Sequence, residues 1–139
     1  MKLYTPEILR LAQLPQPKII ENVTDQCTLS NPICGDRTSW QLCIQDGNIV
    51  AMSHQSKGCL LCKASANLIV ERIQSGALSD VANRIDAFTM EIESLFHVGQ
   101  VSGIQAEQSI FQDLRDAPGR KECVLLPWKA LQRAISSSS

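Results

Sequence analysis

The chain has 139 residues, with 13 basic against 14 acidic side chains and a formal net charge of −1. That length suits one domain with a core of its own, and the near-zero balance excludes the broad positive field that draws proteins to nucleic acid or anionic membranes. Three Phe, two Trp and one Tyr supply few base-stacking platforms, so neither nucleic acid nor a membrane is expected as a partner.

Thr5-Pro6-Glu7 reads as N-cap, proline at the first helical position and an early acid, ahead of Ile8, Leu9, Leu11 and Leu14. A short helix should end before Pro15. From Lys18 to Gln55 strand and turn signals dominate. Trp40, Leu42 and Ile44 alternate with Ser39, Gln41 and Cys43, and beyond an Asp46-Gly47 turn Ile49, Ala51 and Ser53 alternate with Val50, Met52 and His54. After Gly58, helical spacing runs through Leu60, Leu61, Ala64, Leu68 and Ile69 to a stop near Gly76. Ser79 should cap a second such helix through Val81, Ile85, Phe88, Ile92 and Leu95.

A third helix is expected after Gly103 through Ile104, Ile110, Phe111 and Leu114, and a last one from about Lys121 to Ile135. The expected fold is α+β: a small, mostly antiparallel three-stranded sheet packed against helices. One domain covers residues 1–135, and 136–139 form a frayed serine tail.

Six cysteines are many for this size. The opening residues lack a basic segment leading into a long apolar run, and no stretch reaches the ~18 apolar residues of a membrane span. A cytoplasmic setting with reduced thiols is therefore expected, which favours metal binding or thiol chemistry over a disulfide framework.

Two patterns concentrate that chemistry: Asn31-Pro32-Ile33-Cys34-Gly35-Asp36 and Lys57-Gly58-Cys59-Leu60-Leu61-Cys62. In extended backbone, Cys34 and Asp36 project to one face, and Gly35 permits a sharp turn between them. Cys59 and Cys123 both open helices, where free N–H groups and the helix dipole should favour thiolate. Three thiols and one carboxylate, from Cys34, Asp36, Cys59 and Cys123, make a tetrahedral set suited to zinc, with Asp36 the weakest and most exchangeable ligand.

These segments resemble the IscU/SufU/NifU-N-terminal family of iron-sulfur cluster assembly proteins. The resemblance rests on Asn31 to Asp36, on Gly58-Cys59 followed by Ala64-Ser65, and on Arg120 to Cys123 followed by Leu126-Pro127-Trp128-Lys129-Ala130-Leu131. It implies that Cys34, Asp36, Cys59 and Cys123 bind zinc, or iron as a [2Fe-2S] cluster, and receive sulfur from a cysteine desulfurase.

The long segment between Cys59 and Cys123, and Glu122 before the last cysteine, are most similar to the SufU branch. IscU-type members carry a histidine at that place and a Leu-Pro-Pro-Val-Lys chaperone motif upstream, where this chain has Arg115 to Lys121. The SufU resemblance implies a zinc-dependent sulfurtransferase with Cys34 as persulfide acceptor. The other readings are a scaffold handing [2Fe-2S] clusters to apo iron-sulfur proteins, and a purely structural zinc domain.

Cys62 lies one turn beyond Cys59 and could serve as a spare thiol. Cys27 and Cys43 fall in strand-like segments and read as packing residues. His54 and His97 read as surface or cap positions, and Trp128 as part of a core stripe. Lys57, Arg120 and Lys121 flank the helix-start cysteines and could favour their thiolates.

Overall fold

The computed structural model describes residues 3–96 and 110–136. Helix α1 (Pro6–Ala12) starts as its cap predicts, the Thr5 hydroxyl accepting the Ile8 N–H at 3.2 Å, and it buries Ile8 and Leu11. Four strands follow the order β1 (Asp25–Ser30), β2 (Arg37–Gln45), β3 (Asn48–Lys57) and β4 (Gly76–Ala77), each antiparallel to its neighbour. The β2–β3 turn is Asp46-Gly47, with φ of 52° and 76°. Positive φ at both central residues matches the right-handed twist of the flanking strands.

Two sheet features depart from the sequence reading. The three-stranded expectation is one strand short: Gly76–Ala77 pairs with Asn48 and Ile49, and two residues carry no periodicity that could announce a strand. The simple alternation along β3 also fails. Cys43 pairs with Ala51 but Ile44 with Ile49, so Val50 is an extra residue, and such a bulge reverses which side chains face the core. Beyond it Trp40 pairs with His54 and Leu42 with Met52, so Met52 and His54 lie on the core face.

Helix α2 (Leu60–Arg72) packs on β3 and α1, and helix α4 (Lys121–Ser136) packs over β1 and β2 and against α2. Helix α3 (Leu78–Ser94) lies on α4 and buries Val81, Ile85, Phe88 and Ile92 at helical spacing. Its N-cap is Ala77, so Ser79, expected as the cap, sits inside the first turn because β4 leads directly into the helix. Phe88 stacks on Trp128 at 3.8 Å between centroids and meets Phe111 edge-on at 6.2 Å.

Of the expected third helix, Gly103 and Ile104 lie outside the described residues, as does His97. Its described part is a 3-10 turn, Gln112–Asp116, that buries Leu114. Ser136, expected in the tail, is the last residue of α4. No helix among the described residues is long and apolar enough to cross a membrane.

Candidate metal centre

The loop joining β1 to β2 is built by its own sequence. The Asn31 N–H donates to the Asp36 carbonyl at 2.8 Å, the Gly35 N–H to the Asn31 carbonyl at 2.8 Å, and the Ile33 N–H to Asn31 Oδ1 at 3.1 Å. Gly35 takes φ 77°, the left-handed conformation that glycine tolerates best. The tip therefore carries Ile33, 95% exposed, and the exposed Cys34 outward, while Asp36 turns in and is only 1% exposed.

Asp36 is met by the start of α2. The Cys59 N–H donates to Asp36 Oδ1 at 2.9 Å, and the Cys59 thiol lies 3.4 Å from Oδ2. Gly58 makes the approach possible: a Cβ there would overlap Asp36 Oδ1 and stand 2.9 Å from the Asp36 Cα, and φ is 130°. A side chain at position 58 and this contact exclude each other.

Cys123 reaches the same place from α4. The first turns of that helix are tied to α2 by the Ser65 hydroxyl, which donates to the Val124 carbonyl at 2.6 Å and accepts the Trp128 indole N–H at 2.9 Å. They are tied to β2 by the Trp40 indole N–H, which donates to the Pro127 carbonyl at 2.9 Å. Pro127 supplies no N–H to the Cys123 carbonyl four residues back.

The Sγ atoms of Cys34 and Cys123 are 3.9 Å apart, and donor atoms of Cys34, Asp36 and Cys123 lie within 4.8 Å of one another. Two sulfurs at ~2.3 Å from one tetrahedral ion stand roughly 3.8 Å apart, so the observed separation fits a shared zinc ion. Cys59 joins the group through Asp36. All four residues singled out from the sequence thus converge on one end of the sheet.

The charge state differs from the sequence expectation at Cys123. Burial first, then the neighbouring Asp36 carboxylate, push this thiol well above its ordinary value. Burial thus opposes the thiolate that the helix start favours, because taking an anion out of water costs more than a partial dipole returns. Burial also pushes Asp36 up, but the Cys59 amide and then the thiols of Cys123, Cys34 and Cys59 outweigh it and hold the carboxyl below its usual range. A cation entering this group would compensate the buried negative charge as the thiols lose protons.

Cys62 is not part of the cluster. It is fully buried, lies 3.5 Å from the Thr38 hydroxyl, and burial pushes its thiol up to about 12. Lys121 pairs with Glu93 at 3.0 Å and sits 5.7 Å over the Phe96 ring. Arg120 remains exposed and is held above its ordinary value by Tyr4, with Cys59 and Cys123 adding to the effect. Cys43 is buried and Cys27 half-buried against the core, as expected of packing residues.

His54, expected near the surface, is instead 1% exposed, with its Nδ1 3.0 Å from Ser56 Oγ and its Nε2 2.9 Å from Asn67 Oδ1. Nothing local in the sequence separates it from a surface histidine, because the β3 bulge decides which face it takes.

Residues 3–101 match the family described as NifU-like N terminal domain. The iron-sulfur cluster assembly scaffold protein IscU of Thermotoga maritima is 28% identical over 110 residues, 78% of this chain and 75% of that protein. The zinc-dependent sulfurtransferase SufU of Bacillus subtilis is 24% identical over 140 residues, 96% of this chain and 90% of that one. The fold is shared with the N-terminal NifU-like protein of Brucella abortus, at TM-score 0.81 and 20% identity over 97% of this chain and 93% of that one. It is also shared with the SUF-system scaffold protein of Fervidobacterium islandicum, at TM-score 0.75 and 23% identity over 96% of each chain.

Proposed function

The chain belongs to the NifU-like N-terminal domain family of iron-sulfur cluster assembly proteins, and on that premise we propose that it is a zinc-bearing sulfur acceptor for a cysteine desulfurase. The observation that supports this reading most directly is the unequal exposure of one donor group: Cys34 is exposed at a loop tip, Cys59 half-buried, and Asp36 and Cys123 buried. Cys34, Asp36, Cys59 and Cys123 would hold the metal. A bound zinc ion supplies positive charge that keeps the thiols deprotonated and the site ordered.

Cys34 is the most exposed of the three thiols and so the one most open to a partner's loop. In the proposed step the Cys34 thiolate attacks the terminal sulfur of the desulfurase persulfide. A new S–S bond forms on Cys34, the partner's S–S bond breaks, and the partner's cysteine leaves as thiolate. Asp36, held by the Cys59 amide, would be the weakest of the four donors to such a metal and so the one to exchange.

A second reading, assembly of a [2Fe-2S] cluster as cargo for apo iron-sulfur proteins, is favoured by the IscU likeness. Metal and acid-labile sulfide content of protein purified without oxygen, together with a desulfurase assay, separates the two. About one zinc per chain, no sulfide, and desulfurase stimulation that disappears in Cys34→Ser are expected. Iron and sulfide in equal amounts would support the scaffold instead, and absence of metal would overturn both.

A further inference from the structure

A helix buried on nearly every side has no polar face to set its rotation, and α2 is such a helix, with Leu61, Cys62 and the run from Ala64 to Ile69 all buried. Besides Ser65, which ties it to α4, polar groups mark it at three heights towards the sheet. At its cap the Cys59 N–H meets Asp36. One turn on, the Cys62 sulfur lies 3.5 Å from Thr38 Oγ1, and one more turn beyond, Asn67 Oδ1 lies 2.9 Å from His54 Nε2. The same groups are continuous across the sheet. Ser56 Oγ stands 3.2 Å from Thr38 Oγ1 and 3.0 Å from His54 Nδ1, and the Asn67 side-chain N–H donates to the Leu11 carbonyl of α1 at 2.7 Å. Thr38 and Ser56 are directly paired in the β2–β3 ladder, two residues from Asp36 and from Gly58.

Proton counting assigns the tautomer. The Asn67 amide nitrogen is engaged by Leu11, so its Oδ1 faces His54 as an acceptor and Nε2 must carry a proton. Burial favours the neutral imidazole, which leaves Nδ1 bare, 3.0 Å from the Ser56 hydroxyl oxygen. Ser56 Oγ also lies within hydrogen-bond reach of Thr38 Oγ1, and Thr38 Oγ1 within reach of the Cys62 sulfur. Each member of this buried chain has a partner, and a satisfied buried network selects one packing over its rotated alternatives.

We propose that His54, as the neutral Nε2–H tautomer, is the positioning residue of the thiol–carboxylate site. Through Asn67 it sets the rotation of α2. Through Ser56 and Thr38 it holds β2 and β3 together at the ends that bear Asp36 and Gly58-Cys59, so that the Cys59 amide is delivered to the Asp36 carboxylate. Its importance for metal or sulfur rests on the function proposed above, whereas the Asp36–Cys59 contact it explains does not.

The test uses nitrogen NMR on the metal-free chain, so that it stands apart from any metal reading. At pH 7 the His54 ring should show a protonated Nε2 and a bare Nδ1, and the opposite tautomer or an imidazolium would overturn the proposal. In His54→Phe the Cys59 amide should exchange with solvent about tenfold faster than in the parent, with α3 amides changed far less, and His54→Gln should recover most of the protection. Exchange at Cys59 within about twofold of the parent, or an equal rise across α3, would overturn it. If His54→Phe does not fold, Thr38→Val, which keeps shape and cuts the chain at the next link, carries the same two outcomes. Zinc titration of the same proteins reads the ligand assignment separately: a parent chain without a zinc site sinks that assignment and leaves the amide result to decide the positioning role.

Discussion

The two sides of the candidate centre are built in opposite ways. On the hairpin side, Asn31, Gly35 and Asp36 make a loop closed by its own backbone hydrogen bonds, which leaves Cys34 in solvent. On the α4 side, Cys123 is buried and held by Ser65, Trp128 and Trp40, residues from 58 to 83 positions away or in its own helix, and its thiol is pushed towards the neutral form. Exposure with local construction suits a group that meets a partner. Burial with distant construction suits an anchor that stays in place while the exposed side reacts.

The largest expected effect comes from the place where the two sides join. Gly58→Ala puts a methyl group into Asp36 at a backbone conformation unfavourable for alanine, so either the Asp36–Cys59 contact or the α2 start must move. A loss of about 3 kcal/mol or more is expected in urea unfolding, together with loss of the proposed zinc binding in a chelator competition. An unchanged midpoint would show that the hairpin side tolerates what its geometry forbids.

Ser65→Ala breaks the distant side alone. It leaves the buried Trp128 indole N–H without its partner and frees α4 from α2 near Cys123, for an expected loss of about 1–3 kcal/mol. Cys34 should keep its reactivity towards a thiol reagent, while Cys123 should become more accessible to the same reagent.

The smallest effect is a pH dependence beneath both sides. Burial lowers the His54 pKa from 6.5 in the folded chain, so the unfolded chain takes up a proton before the folded one does. Stability is then complete above pH 6.5 and is lost as pH falls from there through the lowered folded value, by at most about 1.4 kcal/mol per pH unit. Urea midpoints at several pH values should show this slope in the parent and its absence in His54→Phe, after the shared slope from other groups is subtracted.

The same contrast explains which parts were legible. The α1 cap at Thr5 and the Asp46-Gly47 turn depend on neighbours in sequence, and each was read from the residues, whereas the Cys34–Asp36 segment, expected extended with both side chains on one face, is a turn that sends Cys34 outward and Asp36 inward. The β3 bulge at Val50, the two-residue β4 and the cap at Ala77 instead of Ser79 depend on pairing and leave no local pattern. His54 was misread for that reason: one inserted residue reverses the strand, and a histidine of the core face has the same neighbours in sequence as one of the surface.

By itself the sequence determined the α+β class, with a strand-rich first half before the long helices, and a family resemblance that the NifU-like match bears out, and it singled out Cys34, Asp36, Cys59 and Cys123 as candidate donors. Those follow from short-range spacing, which chain geometry converts directly into shared faces and caps. Tertiary structure alone decided that Cys123 is buried, which pushes its thiol towards the protonated form, that Cys62 faces Thr38 instead of the cluster, and that Gly58 is a steric requirement of Asp36. Each of these depends on what burial removes from water and on which distant atom fills the space, and neither is written in the spacing of residues along one segment.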